Sequence, residues 1–88
     1  MRPANPIHPG AMLLEEFLIP LQMSQRAFAS KLGWTTAKLN EIINAKRGIT
    51  AETALDLSAA LKTTPELWLN LQMYFDLDDA EKARRKAS

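Results

Sequence analysis

One spacing constrains this chain more than any other: the small Ala29 and, four residues on, Gly33, inside a stretch that is otherwise helical. Two helices joined by a tight turn cross steeply and closely, so the first needs a small residue at the crossing. The turn needs a residue free to take positive φ, which glycine does without steric cost. Leu32, Trp34, Leu39 and Ile42 fall where apolar plugs would lock both helices to a common core, and Gln25 opens the first. The spacing therefore predicts a helix-turn-helix at about residues 24 to 46.

The flanks read as helices too. A first helix is expected to open at Pro9, where the missing N–H costs nothing. Met12, Leu13, Phe17 and Leu21 line its inner face, and Pro20 ends it. Ser24 caps the second helix, with Ala27, Phe28, Ala29 and Leu32 inward. Thr35 or Thr36 caps the third, which carries the stripe Leu39, Ile42, Ile43. Thr50 caps a fourth, with Ala54, Leu55, Leu57 and Leu61 inward and Glu52 in the first turn, where its charge suits the helix dipole. Thr64 and Pro65 open a fifth, running into the seventies or on into the basic tail. No stretch alternates as a strand does. The fold class expected is all-α, with five helices, in three parts: a flexible arm at 1–8, the helical domain at 9–80 and a basic tail at 81–88.

Charge is unevenly spread. Residues 24 to 47 hold Arg26, Lys31, Lys38, Lys46 and Arg47 against Glu41 alone, whereas 51 to 81 hold seven carboxylates against Lys62. Such asymmetry suits one face for phosphate and another for something else. There is no cysteine, hence no disulfide and no thiolate metal site. A domain this small buries a modest share of its surface, so a homodimer is expected. No apolar run approaches the ~20 residues that span a bilayer, and the first ten residues lack a signal peptide's apolar stretch. A cytoplasmic location, at the nucleoid when DNA-bound, is expected, with no membrane partner. Catalysis finds no support. There is no glycine-rich phosphate loop, and the lone His8 sits beside Pro9 as a helix-start residue rather than a ligand. Asp76, Asp78 and Asp79 lack the glycine and closing glutamate of a calcium loop. Neither metal nor cofactor is expected, and no enzyme activity.

The third helix opens with Thr35, Thr36, Ala37, Lys38, Asn40 and Glu41, types that bond base edges or meet thymine methyls. These are the expected base contacts with double-stranded DNA, the helix lying in the major groove. Gln25, Arg26, Lys46, Arg47 and Thr50 are the expected phosphate contacts, which fix register rather than sequence. Two copies would read a palindromic operator, with half-sites about one helical turn, ~34 Å, apart. The expected dimer seam is the fifth helix, at Trp68, Leu71, Gln72 and Phe75.

Four stretches carry a family resemblance: His8-Pro9-Gly10 before Leu14 to Leu18, Glu41 to Asn44 leading to Lys46 to Thr50, Thr53-Ala54-Leu55, and Trp68 to Gln72. The segment resembles the phage-repressor (Xre/Cro) helix-turn-helix of lambda-repressor-like domains. More closely, residues 8 to 77 resemble the HigA, or VapI-like, antitoxins. Three positions depart from that pattern: Trp34 replaces a smaller aliphatic, Ala37 a polar residue and Ala45 a glycine. The resemblance implies a type II toxin-antitoxin module, in which the antitoxin neutralises a RelE-like (HigB) mRNA-cleaving toxin and represses its own operon. Glu15 and Glu16 are candidate toxin contacts, since a toxin that grips RNA should be basic, and Arg2, Ile7 and His8 are further candidates in an arm that could order against it. The alternatives are a stand-alone phage-type repressor and an interaction module that no longer binds DNA.

Overall fold

The computed structural model describes residues 2–87 and contains five helices and no strand among them. Helix α1, Pro9–Leu13, continues into a π-helical turn, Leu14–Leu18. Then follow α2, Gln25–Leu32; α3, Thr36–Ile43; α4, Ala51–Leu61; and α5, Pro65–Ala87.

Each start has a local cause. Ser24, Thr35 and Thr50 sit in extended backbone and accept from the amides of Ala27, Lys38 and Thr53. Gly33 closes α2 in the left-handed region, at φ 75° and ψ 22°. Ala45 holds φ 60° just past α3. That is the position where the related pattern has glycine, and an alanine there carries strain of roughly 1–2 kcal/mol. The π turn precedes Pro20, which has no N–H to donate and whose ring crowds the carbonyl four residues back. The chain answers with wider spacing: the Ile19 amide bonds the Leu14 carbonyl and that of Met23 the Leu18 carbonyl, both at 2.9 Å.

Leu13, Leu18, Phe28, Leu39, Ile42 and Leu57 gather around Trp68, all of them buried. The Trp68 ring packs against Phe17, with centroids 5.5 Å apart, and its Nε1 donates to Thr63 Oγ1 at 2.8 Å. Among the described residues, every buried side-chain nitrogen and oxygen is hydrogen-bonded. Gly10 is where α1 meets the end of α3: a Cβ there would overlap the Ile42 carbonyl.

Several expectations need correcting. Trp68 has no accessible surface and cannot form a seam between copies; as the largest apolar side chain it centres the core. Leu71 packs partly against that core, and Phe75 lies edge-on to His8, 5.0 Å between centroids. The apolar residues α5 leaves exposed are Leu69, Met73 and Leu77. Ala27, Leu21 and Leu55 point outward, not into the core. Residues 81–87 are no separate tail but the last turns of α5, with Lys82 paired to Asp78 one turn back. The arm is not free of the body either, since Arg2 pairs with Glu81.

Truncating a buried tryptophan costs about 3–5 kcal/mol, a large part of the ~5–15 kcal/mol that holds a small domain together. Trp68→Ala should therefore unfold the chain at 37 °C, with loss of the far-ultraviolet helical signal; a folded, helical monomer would contradict its placement in the core.

Candidate nucleic-acid interface

Helix α3 buries Leu39 and Ile42. At about 100° per residue, its opposite face carries Ala37, Asn40, Glu41 and Asn44, with Thr36 beside it. Thr36, Ala37, Asn40 and Asn44 are exposed and Glu41 half-buried. The polar groups there are already held. Asn40 Nδ2 donates to Gln25 Oε1 at 3.2 Å, tying α3 to the start of α2. Asn44 Nδ2 donates to the Asn40 carbonyl at 3.0 Å. Arg47 reaches back to Glu41, its Nη2 2.8 Å and Nε 3.2 Å from Oε1. A guanidinium has five N–H groups, so Arg47 keeps donors for an anion while Glu41 fixes its direction.

Two expected base contacts sit differently. Thr35 Oγ1 accepts from the Lys38 amide as the α3 cap, which leaves its hydroxyl proton as the donor it can offer. Lys38 lies about a quarter turn from the outward face, its ammonium over the Trp34 ring, 4.3 Å from the centroid. Trp34 is itself anchored on α4, its Nε1 donating to Asp56 at 2.9 Å. Asn44 is a member of the face that the sequence reading passed over. The signal was its position, three residues past Glu41 and so on the same side of the helix.

The expected phosphate contacts flank this face. Gln25 and Arg26 stand at the start of α2, Lys46 and Arg47 in the loop after α3, and Thr50 at the cap of α4. Lys46, Arg47 and Thr50 line one open groove of about 410 Å³ with His8, Gln72 and Asp76. Of the suggested toxin contacts, Ile7, Glu15 and Glu16 are exposed, Arg2 is engaged by Glu81, and His8 is buried. His8 caps α1: its Nδ1 accepts from the Gly10 amide at 2.9 Å.

A helix-turn-helix family model matches residues 14–68. Antitoxin HigA-1 of Vibrio cholerae is 40% identical over 75 residues, covering 85% of this chain and 70% of that one. The structure of antitoxin GraA superposes with a TM-score of 0.88 at 46% identity, covering 99% of this chain and 90% of that one. Antitoxin GraA in complex with its operator superposes at 0.86 and 44% identity, covering 99% and 88%. The architecture is that of an Xre-type helix-turn-helix protein. Within that class, the chain belongs to the HigA family of antitoxins.

Burial holds the His8 pKa below its ordinary 6.5, partly offset by the nearby Asp76 carboxylate. Protonated Nδ1 cannot accept from Gly10, so the cap belongs to the neutral ring. As pH falls through 6.5, the unfolded chain takes up the proton before the folded one, and stability declines toward the lowered folded value. The melting temperature should drop as pH falls below about 6.5 and level off once the folded protein is itself protonated. His8→Asn, whose amide oxygen can still cap, should lack that drop; an equal drop in both proteins would exclude His8 as its source.

Proposed function

We propose that this chain is the DNA-binding antitoxin of a type II module. It binds and neutralises a RelE-like (HigB) toxin and, as a homodimer, represses its own operon. The observation that carries the DNA reading is the outward face of α3, with Thr36, Ala37, Asn40, Glu41 and Asn44 on one side and cations at its exit. Those residue types read base edges in the major groove, while Gln25, Arg26, Lys46, Arg47 and the amides opening α4 hold the backbone. The operator complex of GraA supports the same role here, and the antitoxin names of the relatives support a toxin partner.

The dimer seam fits α5 better at Leu69, Met73 and Leu77 than at the residues read from the sequence. They recur every four positions, remain exposed in the monomer, and form one stripe. Pairing two such stripes would place two α3 helices on one duplex. Glu15 and Glu16, exposed on the π turn, together with Ile7, remain the surface offered to a basic toxin. No helix among the described residues is long and apolar enough to cross a membrane.

Co-expression with the product of any small reading frame adjacent to its gene, one partner tagged, tests the function. A stable complex that restores growth and shifts the operon's upstream DNA is expected. DNA binding without any toxin complex would instead mark a stand-alone repressor. For the seam, Met73→Glu should yield a folded monomer at micromolar concentration with at least ten-fold weaker operator binding. A variant that stays dimeric would place the seam elsewhere.

A further inference from the structure

The loop between α3 and α4 carries Lys46 and Arg47 but has no regular structure to hold it. Its start is tied to α3, the Lys46 amide bonding the Glu41 carbonyl and the Arg47 guanidinium the Glu41 carboxylate, and its far end is tied by a side chain from another element. Gln72, on α5, presents Oε1 to the backbone amide of Ile49 at 2.8 Å. Its own amide is oriented by Asp76, to which Nε2 donates at 2.9 Å. The loop lies close against it: a Cβ on Gly48 would sit 3.3 Å from Gln72 Cδ. Ile49 is buried, so its amide has little water to turn to if Gln72 lets go.

We propose that Gln72 is the positioning residue of the DNA-gripping loop, so that α5 sets where Lys46 and Arg47 stand relative to α3. This rests on the DNA-binding reading above. Gln72 itself touches no DNA in this scheme. It acts through Ile49, and Asp76 acts through Gln72 by fixing which end of the side-chain amide faces the loop. The same helix carries the exposed stripe Leu69, Met73 and Leu77 on a neighbouring face, so one rigid element holds both the loop and the proposed seam. A carboxamide suits this place because it is acceptor and donor at once. Glutamate would keep the acceptor for Ile49 but repel Asp76, and leucine would keep the bulk and lose both bonds.

The test compares the wild type, Gln72→Leu, and the double variant Gln72→Glu with Asp76→Asn, which exchanges donor and acceptor while keeping both bonds. Operator duplex binding is measured against salt, alongside amide hydrogen exchange and sedimentation. Gln72→Leu should remain folded and dimeric, lose about ten-fold in affinity, and flatten the log–log salt slope by about one, as when a phosphate contact is lost. Base-pair preference should be unchanged. The Ile49 amide should exchange faster while the interior amides of α3 and α4 keep their protection. The double variant should recover both the slope and the Ile49 protection. Gln72→Leu with wild-type affinity and slope overturns the inference, as does a loss of affinity that follows loss of the dimer, or an Ile49 amide that stays protected. If the wild type binds no duplex in a salt-dependent way, the DNA reading fails and takes this inference with it, whereas wild-type binding with an indifferent Gln72 fails the inference alone.

Discussion

The backbone of α1 at Gly10 lies against the Ile42 carbonyl at the end of α3, and the placement of the exposed helix depends on that approach. No side chain fits between them, so α3 cannot shift toward α1 or away from it without opening the core. His8 stiffens the same point, since its cap bond fixes the first turn of α1 and its ring rests on Phe75 of α5. On the other side, Ala29 and Gly33 let α2 and α3 cross tightly. Leu39 and Ile42 then reach a core centred on Trp68. A helix that must present side chains to a groove needs such restraint, because a positional error of an ångström loses the hydrogen bonds that distinguish bases.

The groups on the outward face of α3 and at its exit bond one another across elements. Asn40 joins Gln25, and Glu41 joins Arg47. These are exposed contacts of small net energy. Their consequence is orientation: each limits the rotamers of a side chain that would otherwise sample many, and so lowers the entropy lost on binding. Trp34 acts likewise on Lys38, holding the ammonium on the flank that faces α4.

The helix-turn-helix was legible because its signals are local: a small residue, a glycine four positions on, and capping residues at each start. The four-block resemblance was legible for the same reason. What was not legible depended on how helices pack. Helix α5 carries apolar residues around most of its circumference, so periodicity alone offers several inner faces. The bulkiest side chain went inside, where it buries most area and where Thr63 satisfies its indole N–H; the exposed stripe fell to Leu69, Met73 and Leu77. Leu21 and Leu55 misled for a related reason, since an apolar residue at helical spacing need not face the core. Lys38 looked like a reading residue until Trp34, one turn away and anchored by Asp56, gave its charge a nearer partner. The Gln72 bond to the Ile49 amide joins positions 23 residues apart, and no spacing rule reaches so far.

The most direct test of the account is to titrate duplex DNA from upstream of the chain's own gene into isotope-labelled protein and follow the backbone amide resonances. The account predicts specific shifts at residues 36, 37, 40, 41 and 44 and along 46–50, with the α1 π turn at 14–18 unaffected. Shifts concentrated on another surface, with those of α3 unmoved, would contradict the claim that this helix reads DNA.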